Sequence, residues 1–274
     1  MFDLKTYVTG LGVLLVGAIL TWLLSLARKN VAIVDSVWSL FFLAVGLTYA
    51  RVSAGAGASA PPSADFAITW TWGPRTVLTV LMLTVWSLRL AIYLTARNWG
   101  HGEDRRYVAI RARHEPGFGF KSLYLVFLLQ ALLAWIISLP VLGAILSPGP
   151  QSLGLLDVAG IALWAVGLFF EAVGDWQLSR FKSAAANRGK VMDRGLWRYT
   201  RHPNYFGDFC VWWGFFLIAL AGGAWWSALG PLVMSTLLMR VSGVTLLEKD
   251  IGKRRADYAD YIRCTNAFFP GPRR

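Results

Sequence analysis

The chain alternates between long apolar stretches and short polar connections. Seven stretches are apolar over about 20 residues, the length that crosses the hydrocarbon core of a bilayer. They are residues 7–27, 31–50, 74–96, 122–146, 153–174, 205–221 and 224–247. None of them alternates apolar and polar residues as a barrel strand does. The pattern predicts an all-α membrane protein with seven transmembrane helices in a single transmembrane domain, 1–274.

Basic residues are concentrated in alternate connections of this pattern. The connections that hold 22 of the 27 Lys and Arg residues are 28–30, 97–121, 176–204 and 249–274. The opposite connections contain only Lys5, Arg51 and Arg75. Because Lys and Arg favour the cytoplasmic side, we expect the N-terminus outside and the C-terminus in the cytoplasm. The segment 53–65, rich in Ala, Gly, Ser and Pro, is expected to be a flexible outer loop.

Composition supports a membrane location. Hydrophobic residues make up 56% of the chain and charged residues 15%, against about a quarter charged in soluble domains. The formal charge of +12 would suggest nucleic-acid binding in a soluble protein. Here most of that charge comes from the basic residues of the connections predicted to face the cytoplasm. We therefore expect the lipid bilayer as a partner and no nucleic acid.

Charged side chains within or at the ends of the predicted spans are the first functional signal, because charges are costly there. They are Asp35, Arg89, Glu171, Asp175, Asp208, Arg240 and Glu248. Most fall toward the predicted cytoplasmic ends, so we expect a charged cavity that opens to the cytoplasm. The alternative is that each snorkels to the interface or pairs with a neighbour.

The segment 175–208 is the second signal, because it interleaves basic and aromatic residues. Its members include Arg180, Lys182, Arg188, Lys190, Arg194, Arg198, Arg201, His202, Trp197, Tyr199 and Tyr205. Guanidinium groups suit phosphates and aromatic rings stack on heterocycles, so a nucleotide-type ligand fits, although attraction to anionic lipid also explains the charge. Pro203 predicts a helix start, with Asn204 and Asp208 one turn apart.

The segment 240–263 is the third signal. Arg240 and Glu248 are eight residues apart on one predicted helix face and could bracket one polar ligand. Tyr258 and Tyr261 follow in an amphipathic stretch that either closes the cavity or lies on the bilayer. The sequence has no Rossmann or P-loop motif, so any nucleotide is held in another way. It has no HExxH motif and no cysteine or histidine cluster, so it predicts no metal site.

Several motifs resemble the DUF1295 family of bacterial proteins, which belongs with the steroid 5-alpha-reductase C-terminal superfamily. The strongest is the run 195–208, followed by Leu247-Glu248-Lys249 and Tyr258-Ala259-Asp260-Tyr261. Its core, Arg201-His202-Pro203-x-Tyr205-x-Gly207, is also similar to isoprenylcysteine carboxyl methyltransferases and to sterol C14 and C7 reductases. The resemblance implies a multi-pass protein of the bacterial inner membrane.

Related reductases bind NADPH in a cavity open to the cytoplasm, so the resemblance implies a cofactor-binding half, 153–274, and a substrate-side half, 1–146. By position it implies cofactor roles for Asp175, Asn204, Asp208, Arg240 and Glu248. Lys190, Arg198, Arg201 and His202 are expected near phosphates or ribose, and Tyr205 is expected to stack or hydrogen-bond at the cofactor.

The expected catalytic residues differ from those of steroid 5-alpha-reductases. That family pairs Gln-Glu on span two with a tyrosine on span three. Here span two offers Asp35 and Trp38, and Trp86 lies at the approximate position of the tyrosine. An indole N–H donates a hydrogen bond but does not act as a proton donor of the tyrosine type.

Three functions follow from these observations. The first is an NADPH-dependent reductase that transfers hydride to an activated C=C bond of a lipophilic substrate, with Asp35 as acid or substrate anchor. The second is an S-adenosylmethionine-dependent membrane methyltransferase. The third is a non-catalytic lipid-binding membrane protein.

Overall fold

The structure is a computed structural model. It describes residues 2–56, 72–147, 152–241 and 257–274, and these residues contain helices and no strand. The chain folds into two compact units. Unit 1 comprises Met1–Leu153 with Ala219–Ser227, and unit 2 comprises Gly154–Ile218 with Ala228–Arg274.

Four long helices form most of unit 1: α1 (Leu4–Arg28), α2 (Ile33–Ala56), α3 (Pro74–Asn98) and α5 (Phe118–Ile137). Between α3 and α5, the short helix α4 (Arg105–His114) begins at Asp104, whose carboxylate accepts the main-chain N–H of Arg106. A further helix, α6 (Leu139–Ile145), follows α5.

The predicted fourth span, 122–146, is wrong in its boundaries. The helix runs instead from Phe118 to Ile137, with a π-helical stretch at Leu123–Leu128, and ends at Ser138. Pro140 lies in the first turn of α6. Because proline has no N–H to donate back along the helix, it accounts for the break that the hydropathy pattern did not reveal.

Unit 2 contains most of the remaining helices. They are α7 (Leu155–Ser183), α8 (Pro203–Ala221), α9 (Leu229–Thr236) and α10 (Tyr258–Cys264). The last three residues of α8, from Ala219, belong to unit 1. α7 extends nine residues beyond the predicted end of span five at 174, so Arg180 and Lys182 lie on a helix.

Six of the described helices are long and apolar enough to cross a membrane: α1, α2, α3, α5, α7 and α8. The seventh predicted span, 224–247, is described only as far as Val241, where α9 is followed by a π-helical stretch, Leu237–Val241. Residues 57–65 of the predicted outer loop also lie outside the described residues.

Candidate functional site

Asp35, in the first turn of α2, is held at both carboxylate oxygens by residues of α4. The Tyr107 hydroxyl donates to Oδ1 at 2.6 Å, and the Arg106 guanidinium pairs with Oδ2 at 2.6 Å. Asp104 holds the same guanidinium through Nε at 3.1 Å. Burial, and then the charge of Asp35, raise the pKa of the Tyr107 hydroxyl, which keeps it a donor.

Glu103, just before α4, links that helix to the turn between α1 and α2. Arg111 donates to both oxygens of Glu103, at 2.9 and 2.8 Å, and the main-chain N–H of Val31 donates to Oε1 at 2.7 Å. Burial opposes ionisation of Glu103, but these hydrogen bonds lower its pKa below the ordinary value. The Asp35–Arg106 ion pair and the Val31–Glu103 hydrogen bond therefore attach the α4 region to the rest of unit 1.

Trp38 and Trp86 both contact Phe42 in unit 1. Their rings meet the Phe42 ring edge-on, with centroids 4.9 and 5.7 Å away, and Trp86 is fully buried. The Trp38 indole N–H donates to the main-chain oxygen of Gln130 at 3.3 Å. The Trp38 indole N–H therefore already has a hydrogen-bond acceptor within the protein. Asp35, in contrast, contacts Arg106 and Tyr107.

A cavity of about 900 Å³ lies in unit 1 at the ends of α1 and α3 and the start of α2. Arg28, Arg97 and Arg105 reach it from three different segments. Ile33 and Trp99 contribute apolar surface. Its volume falls within the range of small-molecule sites, about 300–1,000 Å³. We refer to it as the arginine cavity.

In unit 2, α7 and α8 pack closely because glycines meet backbone across the interface. A methyl group at Gly167 would lie 2.5 Å from the carbonyl oxygen of Gly207, and one at Gly160 would lie 2.7 Å from that of Gly214. Small residues allow this approach of membrane helices. The contact sets the register of α7 against α8.

The register brings predicted cofactor residues together. The Asn204 amide, in the first turn of α8, donates to Asp175 Oδ1 at 3.4 Å. Asp175 and Glu171 are buried on α7, and Asp208 follows Asn204 by one turn of α8. We call Asp175, Asn204 and Asp208 the polar cluster of unit 2.

Arg201 is buried rather than displayed toward solvent. Its guanidinium donates to the carbonyl oxygens of Ile262 and Thr265, at 3.2 and 2.6 Å. Its main-chain N–H donates to the carbonyl oxygen of Asn266 at 2.9 Å. These bonds fasten the C-terminal segment to the start of α8. Nearby, the rings of His202 and Tyr205 are stacked, 5.4 Å apart.

The other predicted residues lie in different surroundings. Lys190, Arg198 and Arg240 are exposed, whereas Glu248 lies outside the described residues. Tyr258 and Tyr261 are buried, and the Tyr261 hydroxyl donates to the Trp197 carbonyl. The segment 258–264 thus packs within unit 2.

Two features of these sites were missed by sequence reasoning. The first is the pair of residues that hold Asp35, namely Arg106 and Tyr107. They follow closely after Asp104, and an acidic residue before a short periodic run is a signal for the start of a helix. The glycines of α7 recur at positions 160, 167 and 174. A seven-residue spacing places them on one face of the helix, which was a visible sign of a close helix contact.

The fold and composition define an integral, multi-pass helical membrane protein. Residues 21–265 match the family model described as "Protein of unknown function (DUF1295)", and the chain belongs to that family. A protein of Schizosaccharomyces pombe described as uncharacterized is 24% identical over 247 residues. The match covers 79% of this chain but 65% of the yeast protein, so the chain spans less than two thirds of that relative. No solved structure matches the chain.

Proposed function

We propose that the protein is an NADPH-dependent reductase of the membrane that acts on a lipophilic, steroid- or isoprenoid-like substrate with an activated C=C bond. The observation that carries the proposal is the Asp175–Asn204 hydrogen bond at 3.4 Å, set by the glycine contacts of α7 and α8. Asn204 follows closely in sequence after the basic segment 180–201, whose Lys and Arg side chains suit phosphates. The resemblance to membrane reductases supports cofactor roles at the same positions.

The residues of unit 2 fit the polar groups of a dinucleotide. Carboxylate and amide side chains of the polar cluster suit hydroxyl and amide groups, and the exposed Lys190, Arg198 and Arg240 supply positive charge for phosphates. When bound, NADPH supplies a hydride. Arg201 has a supporting role in this proposal, because its guanidinium binds the C-terminal carbonyls.

In unit 1, Asp35 is the proposed substrate anchor, because both of its carboxylate oxygens accept hydrogen bonds, from Tyr107 and Arg106. Reduction of a C=C bond adds a hydride to one carbon and a proton to the other, and in this proposal the proton comes from water. The Tyr107 hydroxyl and the Arg106 guanidinium orient the carboxylate of Asp35. An indole N–H does not give up its proton, so we assign no proton transfer to Trp38 or Trp86. In this proposal their rings form apolar surroundings.

A methyltransferase that uses S-adenosylmethionine is the second candidate. The burial of Arg201 among carbonyl groups favours it, since one fewer guanidinium is presented to phosphates. S-adenosylmethionine has no phosphates and requires fewer cations. The polar cluster suits its amine and ribose hydroxyls as well as it suits a dinucleotide.

Thermal unfolding in detergent with NADPH, NADH, S-adenosylmethionine or no ligand distinguishes these functions. A ligand at about 100 times its Kd adds about 2.7 kcal/mol of stability. We expect stabilisation by NADPH that is lost in Asn204→Ala and Arg240→Ala. Stabilisation by S-adenosylmethionine alone would favour the methyltransferase, and no stabilisation by any ligand would favour a lipid-binding protein.

A further inference from the structure

Among the described residues that line the arginine cavity, cationic side chains outnumber anionic ones. Arg28, Arg97 and Arg105 line it together with Glu103 and Asp104. Both carboxylates are already bound, Glu103 by Arg111 and Asp104 by Arg106. Within the described residues, neither Arg28 nor Arg105 forms an ion pair with a carboxylate.

Other parts of the cavity wall are apolar. Ala32, just before α2, and Ile33 and Val37, near the start of α2, contribute apolar surface, and Trp99 adds an indole ring. Trp99 is 75% exposed, and tryptophan is enriched where a membrane protein meets the headgroup region. Cations beside apolar and aromatic surface match a ligand that has an anionic head and an apolar tail.

From this arrangement we propose that the arginine cavity binds the anionic head, phosphate or carboxylate, of a lipid-like amphiphile. Arg28 and Arg105 contact the head, and the tail follows Ile33, Val37 and Trp99. Three guanidinium groups from α1, α3 and the start of α4 line one cavity, which distinguishes the site from general attraction to an anionic surface. The role of this amphiphile as the substrate rests on the proposed function, but its binding does not.

Dodecyl phosphate tests the proposal directly. Binding to the full-length protein in a neutral detergent is measured by isothermal titration and by the shift in Tm. Binding of inorganic phosphate shows how much affinity the anionic head provides without an apolar tail. Binding of NADPH shows whether a phosphate-containing nucleotide uses the same cavity. The test variant is the double substitution Arg28→Gln with Arg105→Gln.

The matched control is Lys29→Gln with Arg113→Gln, which removes the same charge from exposed residues that lie close in sequence to the test pair but do not line the cavity. We expect saturable binding of dodecyl phosphate to the wild type and the control, and at least tenfold weaker binding to the test variant. We expect NADPH binding to be equal in all three. If the double variant is unstable without ligand, Arg105→Gln alone replaces it, with Arg113→Gln as its control.

Equal binding of dodecyl phosphate to the test and control variants would overturn the proposal, because it would indicate general charge attraction. Binding of inorganic phosphate as tight as that of dodecyl phosphate would also overturn it, since the tail would then contribute nothing. Loss of NADPH binding in the test variant would assign the cavity to the nucleotide instead. Failure of NADPH to bind any variant would contradict the proposed function and leave this inference intact.

Discussion

Asp35 owes its position to α4, a helix far from it in sequence. The hydroxyl of Tyr107 and the guanidinium of Arg106 each contact one of its oxygens at 2.6 Å. Such an arrangement orients a carboxylate whether it serves as an acid, an anchor or a structural link. Its structural contribution is measurable without a substrate.

We predict that Tyr107→Phe lowers the free energy of unfolding by about 2 kcal/mol, because it removes a hydrogen bond to a charged group. The measurement is thermal unfolding in detergent. Tyr124→Phe is the control, since that side chain is 57% exposed on α5, and it is expected to change Tm little. Equal Tm values for the two variants would show that Tyr107 does not hold Asp35.

Among the helices, the α7–α8 contact determines the geometry of the polar cluster. We predict that Gly167→Ala destabilises the protein by about 1–3 kcal/mol, because its methyl would lie 2.5 Å from the Gly207 carbonyl oxygen. Gly12→Ala is the matched control on α1, where nothing lies within 4 Å. It should leave stability unchanged or raise it by up to about 1 kcal/mol. Thermal unfolding of both variants checks this, and a neutral Gly167→Ala would contradict the close packing.

The attachment of α4 predicts a pH dependence. The pKa of Glu103 is lowered below its ordinary value of 4.5 by bonds from Arg111 and Val31. The contribution of the ionised Glu103 to the free energy of unfolding is therefore present above pH 4.5 and is lost as pH falls through the folded-state pKa. We expect Glu103→Gln to make Tm less sensitive to pH between about 6 and 3 than in the wild type.

Glu115→Gln is the control for that measurement, because this carboxylate is 49% exposed and lies 4.0 Å from Arg111. Its acid sensitivity should resemble that of the wild type. If Glu103→Gln loses Tm with acid as steeply as the wild type, the Glu103–Arg111 pair does not stabilise α4.

Hydropathy located the six long helices because each must place about 20 apolar residues in lipid. It could not find the end of α5 at Ser138, where the sequence stays apolar through Pro140. Basic residues look alike in a sequence, so the pattern could not separate the buried Arg201 from the exposed Arg198. The pairing of Asp35 with Tyr107 depends on the folding of α4 back onto α2, which local periodicity does not encode.

For the whole molecule, the uneven distribution of basic residues predicts an orientation in the membrane. In a background with Cys210→Ala and Cys264→Ala, we predict that an impermeant maleimide labels Ser152→Cys in intact cells and does not label Ser183→Cys. Both serines are exposed, and they lie at opposite ends of α7, Ser152 just before it and Ser183 as its last residue. Labelling of Ser183→Cys alone would invert the topology and place the basic segments outside.

We propose that unit 2 holds NADPH at the polar cluster. The most direct test is a fluorescence titration of NADPH into the purified protein, with Kd determined for the wild type, Asn204→Ala and the control Gly12→Ala. We predict saturable binding that is at least tenfold weaker in Asn204→Ala and unchanged in Gly12→Ala. Equal affinity in all three proteins, or no saturable binding to the wild type, would contradict the claim.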